Sequence, residues 1–261
     1  MKKWIASLSI VMSLLCGAAC AQITAKVVDI PTREGITQRF VYLAPDQPRK
    51  AVILFSGGNG GLQITPDGVF AGGDGNFLVR SRALFASHGF AVAVVDAPSD
   101  RQQPPFLRGF RMTPEHATDI KAVIAWLRQS GLPVWLVGTS RGTQSAAYVA
   151  TQLAGDGGPD GLVLTSTVLS DDRSLPVPAM PIDKLTIPVL VVHHEQDVCK
   201  VCAYSDMPLL MARLAPVPVK ELITFTGGIT RGDPCLAKAH HGYNGIEADV
   251  VAKIADWIDV H

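Results

Sequence analysis

Five short runs dominated by apolar residues punctuate the chain: Ala51–Phe55, Phe90–Val95, Val134–Val137, Gly161–Thr165 and Val189–His193. Each is too short for a buried helix and lacks the apolar–polar alternation of a strand with one wet face, so each reads as a strand covered on both sides. Between these runs lie stretches with helical spacing. Strand and helix alternating in this way predict helices packed on both faces of a mostly parallel sheet, the α/β class.

The helical stretches carry their own punctuation. Phe77–His88 stops at Gly89, and Pro114–Gln129 follows Thr113 as a capping residue and ends before Gly131. Thr143–Leu153, Tyr204–Leu214 and Ile246–Val260 complete the set, His116 falling on the predicted surface of its helix. Ile23–Ile30 and Thr37–Leu43 form an opening antiparallel pair, with Pro31–Gly35 supplying turn residues, and Lys220–Phe225 is a late strand. With 261 residues, no internal repeat and no linker, the chain is expected to fold around one core. The Pro-rich stretch Leu175–Pro188 is too short for a lid domain, which predicts a shallow, open site without a large cap.

The first residues place Lys2 and Lys3 before an apolar run from Trp4 to Leu15, followed by small residues through Ala21. This is the pattern of a secretory signal peptide, residues 1–21, leaving 22–261 as the mature domain in the periplasm or outside the cell. A lipid anchor at Cys20 fits less well, because Gly17 stands where such signals carry Leu, and the run is too short to span a bilayer. The mature chain then holds Cys199, Cys202 and Cys235, and an oxidising compartment favours one pair and one leftover thiol. Acidic and basic residues balance at 23 each, so no broad field draws nucleic acid or an anionic membrane. No histidine or cysteine spacing matches a zinc motif, and no cofactor is expected.

One segment carries chemistry. Gly138, Thr139, Ser140, Arg141 and Gly142 match GxSxG, with a buried run before them and a small-residue helix after. A serine hydroxyl held at a sharp strand-to-helix turn needs flanking residues without side chains, and its position at a helix amino end aims backbone amides at a developing oxyanion. In this order of motifs, from Ala51 to the last helix, the sequence resembles the α/β-hydrolase family, esterases and dienelactone hydrolases among them.

The resemblance implies an acid after a late strand and a histidine before the last helix. Asp197 is the expected acid, with Glu195 as runner-up, and His241, followed by Gly242 and Tyr243, is the expected base, His240 lying one residue out of register. His193 and His194 at the strand end are expected to pack or hydrogen-bond rather than catalyse. The family's second oxyanion amide implies the loop Ser56–Asn59, with Gly58 ahead of Asn59 and Arg141 supplying the other amide. A bond between Cys199 and Cys235 would tie together the loops of acid and base, with Cys202 as the alternative partner.

The implied reaction is acyl transfer to water on a small-molecule ester or related acyl compound. A peptidase or acyltransferase would use the same residues, and a silent binding protein the same scaffold. Gly73–Arg82 and Pro98–Phe110 are the expected substrate-facing walls, while the substrate and the oligomeric state are not written in the sequence.

Overall fold

The computed structural model describes residues 23–261; the signal-peptide assignment lies outside them. Eight strands form one sheet in the order β1-β2-β4-β3-β5-β6-β7-β8, namely β1 (Thr24–Arg33), β2 (Ile36–Ala44), β3 (Lys50–Phe55), β4 (Phe90–Val95), β5 (Val134–Thr139), β6 (Gly161–Thr165), β7 (Val189–His194) and β8 (Lys220–Phe225). β2 runs antiparallel to β1 and to β4, and every pairing from β4 to β8 is parallel.

The five apolar runs sit in this sheet because both of its faces are dry. Ile53, Leu136, Leu164 and Val191 face one way, onto α3 (Pro114–Arg128), α4 (Gly142–Gln152) and α5 (Met207–Arg213). Their neighbours Val52, Val137, Val163 and Val192 face the other, onto α1 (Phe77–Arg80), α2 (Arg82–Ser87) and α6 (Glu247–Val260). Fully burying one such aliphatic side chain is worth roughly 1.5–3 kcal/mol, so these layers supply most of the drive to fold.

Four details depart from the expectations. The opening turn narrows to Glu34 and Gly35, with Pro31 inside β1; an edge strand accepts proline because it needs no N–H there. The stretch Phe77–His88 is two helices hinged at Ser81, whose N–H still bonds the Phe77 carbonyl while its own carbonyl takes Leu84 N. A one-residue joint leaves the apolar spacing intact, so the pattern alone could not reveal it. The stretch Tyr204–Leu214 opens with a 3-10 turn, Tyr204–Asp206, and becomes α-helical only at Met207, because Pro208 is tolerated only in a first turn.

The fourth is His116, which is buried rather than on the surface. It sits four residues before Ile120 on the stripe that continues through Val123, Ile124 and Leu127, and its ring packs edge-on against Phe55 and Phe110. The connection from β6 to β7 contains two short 3-10 turns, Val177–Ala179 and Ile182–Lys184, packed onto the body through Val177, Met180 and Ile182; it builds no cap.

Candidate active site

Parallel strands bring their carboxyl ends to one edge, and the loops that leave there make a cleft of about 330 Å³. β3 and β5 are neighbours in register, Phe55 opposite Gly138, so the Ser56–Gly61 loop and the turn at Ser140 leave the sheet side by side. His241 and Gly242 close the cleft from the far end, together with Cys235, Leu236 and Ala237.

Ser140 occupies the tight bend between β5 and α4 with φ of 52°, a left-handed conformation that costs energy in any residue but glycine. Its N–H is held by the Thr165 carbonyl, and its carbonyl accepts from Thr143 N and Thr143 Oγ1. The flanking glycines are explained by their surroundings. A methyl on Gly142 would overlap the Phe55 carbonyl, and one on Gly138 would stand 2.6 Å from the Gly142 carbonyl oxygen.

His241 is buried, and its Nδ1 lies 2.8 Å from Asp197 Oδ2. A carboxylate in that position fixes the tautomer, because an ionised acid only accepts and so the proton sits on Nδ1. The other carboxylate oxygen, Oδ1, accepts from Cys199 N at 2.9 Å, and His193 Nε2 stands 3.5 Å from Oδ2. Burial by itself would raise the Asp197 pKa, but the His193 and His241 imidazoles outweigh it and hold the group at about 2. Glu195, in contrast, is exposed and accepts from Thr224 Oγ1, while the His240 ring stacks on His194. His193 and His194 spend their Nε2 atoms on the carbonyls of Cys202 and Gly227, the hydrogen-bonding role expected of them.

The histidine loop is fixed from three sides. Ser166 Oγ donates to the His241 carbonyl at 2.7 Å, Tyr243 donates its hydroxyl to the Val192 carbonyl at 2.8 Å, and Arg80 reaches the Gly242 carbonyl at 2.5 Å while paired with Glu247. Ser140 and His241 line one cleft but are not hydrogen-bonded to each other, and the Ser140 hydroxyl neighbours the Cys202 thiol. Catalytic hydrogen bonds in unliganded sites are commonly long and tighten on substrate.

The backbone N–H groups of Gly58, Asn59 and Arg141 have no acceptor among the described residues. They border the cleft or its neighbour, so the two expected oxyanion donors, Gly58 and Arg141, and the alternative Asn59 are all unspent. Behind this loop, the buried Asp96 carboxylate accepts from the backbone N–H groups of Leu62, Gln63, Ile64 and Ala97. Arg111, also buried, holds the carbonyls of Ser56, Gly57 and Gly58. Neither support is legible in the sequence, because apart from Ala97 the partners lie more than 30 positions away.

Cys199 and Cys235 are bonded, at an S–S distance of 2.05 Å, and Cys202 is a free buried thiol. The sulfurs of Cys199 and Cys202 and a ring nitrogen of His241 lie within 4.8 Å of one another, but the disulfide has already committed Cys199. Of the two expected walls, Gly73–Arg82 contributes Gly73, Gly75, Asn76 and Phe77 to the cleft. Pro98–Phe110 instead reaches an adjoining cavity of about 190 Å³ through Leu107, Arg108 and Gly109.

No family model matches the sequence, and no curated relative does. Similar solved structures include a dienelactone hydrolase from Anabaena variabilis (14% identity, TM-score 0.63, 92% of this chain and 99% of that one). A cold-adapted esterase from an Arctic intertidal metagenomic library superposes at TM-score 0.58 with 16% identity, over 94% of this chain and 99% of that one. An esterase from Pyrococcus furiosus gives TM-score 0.64 at 12% identity, over 91% and 92%. With its strand order, its uncapped sheet edge and these likenesses, the chain has the α/β-hydrolase fold.

Proposed function

We propose that this chain is an exported serine hydrolase that cleaves a carboxylic ester, or a related acyl bond, through Ser140, His241 and Asp197. The observation that carries the reading is the His241 ring, tied by Nδ1 to a buried carboxylate while it lines the same cleft as a serine held at positive φ. In this mechanism His241 Nε2 takes the Ser140 proton as Oγ attacks the substrate carbonyl. The oxyanion is met by the amides of Arg141 and of Gly58 or its neighbour Asn59, each worth roughly 3–4 kcal/mol in the transition state. Collapse expels the leaving group, protonated by His241, and water then releases the acyl group from Ser140 by the same steps in reverse.

Asp197, charged throughout the neutral range, stabilises the imidazolium that forms in each half. Esters are favoured as substrates by the uncapped cleft and by the esterases among the similar structures. Export is supported by the Cys199–Cys235 bond, which persists in oxidising compartments. No helix among the described residues is long and apolar enough to cross a membrane.

Fluorophosphonate labelling followed by mass spectrometry tests the reading. A single adduct on Ser140, absent from Ser140→Ala, with turnover of nitrophenyl esters and not of aminoacyl amides, is the expected result. An unlabelled native protein would refute the enzyme reading, and hydrolysis of the amides alone would replace esterase by peptidase.

A further inference from the structure

Arg111 stands out among the charged groups of the interior. It is buried, and no carboxylate pairs with it among the described residues. Placing an unpaired cation inside a protein is expensive, so its retention calls for a local account. Its Nη1 donates to Ser145 Oγ at 2.9 Å, on the helix that Ser140 opens. Its Nη2 faces three consecutive carbonyls, of Ser56 at 3.0 Å, Gly57 at 3.4 Å and Gly58 at 3.3 Å. One planar group therefore joins the helix behind the serine to the loop opposite it.

In a trans peptide unit the carbonyl and the following N–H point in opposite directions. Turning the carbonyls of residues 56, 57 and 58 toward the guanidinium thus turns the N–H groups of Gly57, Gly58 and Asn59 away from it. That other side of the loop is the one against Ser140: a methyl on Gly57 would lie 2.9 Å from Ser140 Cβ. The loop is shaped to admit the cation, since a methyl on Gly60 would lie 2.6 Å from Arg111 Nη2 and 2.6 Å from Leu107 Cδ1. Burial, and then the nearby Arg141 charge, push the Arg111 pKa down only to about 9, which leaves it charged at neutral pH.

We propose that Arg111 is a positioning residue for the oxyanion site: it fixes the direction of the loop amides and holds an unneutralised positive charge directly behind them. The charge polarises the three peptide units so that their N–H ends become better donors to the oxygen that gains charge in the transition state. Because a ground-state carbonyl carries little of that charge, the contribution appears in kcat more than in KM. This assignment rests on the reading of Ser140 as the nucleophile.

The test compares wild type, Ser140→Ala, Arg111→Gln and Arg111→Lys, each checked for a native-like melting transition. Kinetics on the best nitrophenyl ester are set beside inhibition by a trifluoromethyl ketone, which forms a tetrahedral oxyanion on the serine. Arg111→Gln keeps donor groups but loses the charge, and it is expected to lower kcat by about 10- to 100-fold with KM within about twofold. Ketone affinity should weaken by the same factor as kcat/KM, and Arg111→Lys should fall between Gln and wild type.

A folded Arg111→Gln enzyme with wild-type kcat and ketone affinity, or one altered in KM alone, would overturn the assignment. If Arg111→Gln does not fold, Arg111→Met, a neutral side chain of similar reach, decides: wild-type kcat and ketone affinity there would equally reject the proposal. Full activity in Ser140→Ala is a different failure, of the nucleophile reading itself, and would take this proposal down with it.

Discussion

His241 Nδ1 and Asp197 Oδ2 meet at 2.8 Å across 44 positions of sequence, joining the loop after β7 to the loop after β8. Replacing Asp197 by Asn keeps the shape but offers the imidazole an amide that can donate, which permits the wrong tautomer. The expected loss in kcat is on the order of 10⁴-fold, with a smaller change in KM, measured on a nitrophenyl ester at neutral pH.

The same carboxylate makes stability depend on acid. Its pKa is about 2 in the fold and roughly 3.9 in an unfolded chain, so the unfolded state binds the proton first as pH drops. Its contribution, about 2–3 kcal/mol, is present above pH ~4 and disappears as pH falls through the folded value. Thermal melts of wild type and Asp197→Asn should therefore differ most near neutrality and converge toward pH 2.

His116 gives a second acid-sensitive window with a different remedy. Burial, and then the charges of Arg111 and Arg33, push its pKa down to about 3, and both ring nitrogens lack a hydrogen-bond partner. An unfolded histidine takes a proton near pH 6.5, so wild type should lose stability as pH falls below that value, by about 2 kcal/mol at pH 5. His116→Leu removes both the titration and the unpaired nitrogens and should melt higher than wild type at pH 5, with a smaller advantage at pH 8. A wild type whose stability does not fall between pH 7 and pH 5 relative to His116→Leu would show that the ring is charged or bonded in the fold.

Gly142→Ala should fail for a steric reason. The added carbon overlaps the Phe55 carbonyl, which belongs to the strand paired with β5 and cannot swing aside. A destabilisation of about 3 kcal/mol or more is expected in a urea melt, together with loss of fluorophosphonate labelling.

The disulfide joins a residue two after Asp197 to one six before His241. Among the described residues, peptide mapping without reduction should recover Cys199 linked to Cys235 and Cys202 as a free thiol. Burial drives that thiol's pKa well up, so iodoacetamide should modify it only after denaturation. Cys235→Ser should cost about 2–4 kcal/mol in stability and lower activity at temperatures where the wild type still works.

What the sequence discloses here follows the range of the interaction. The sheet is legible because runs such as Ala51–Phe55 and Val189–His193 are apolar on both faces, and the serine because a local turn demands Gly138 and Gly142. Asp197 stands ahead of Glu195 in the sequence only through the family resemblance; the contrast between them appears in three dimensions, where one carboxylate is buried against an imidazole and the other stands in solvent beside Thr224. Asp96, Arg111 and Ser166 escape notice because, Ala97 apart, their side-chain partners lie 32 or more positions away, at no recurring spacing. His116 was hidden by its polarity, although its place on the stripe of Ile120 and Ile124 was the available signal.

The four backbone groups gathered by the Asp96 carboxylate make the two sides of the cleft unequal partners in adaptation. On that side a change of residue disturbs a carboxylate buried beside the cleft and the four backbone groups it holds, so the wall is hard to remodel there. The opposite side, where exposed Leu236 follows the bridging Cys235, carries a side chain free to vary without touching a buried polar group. Laboratory selection for a remodelled cleft is best begun at Leu236 and Ala237, leaving residues 56–64 as they stand.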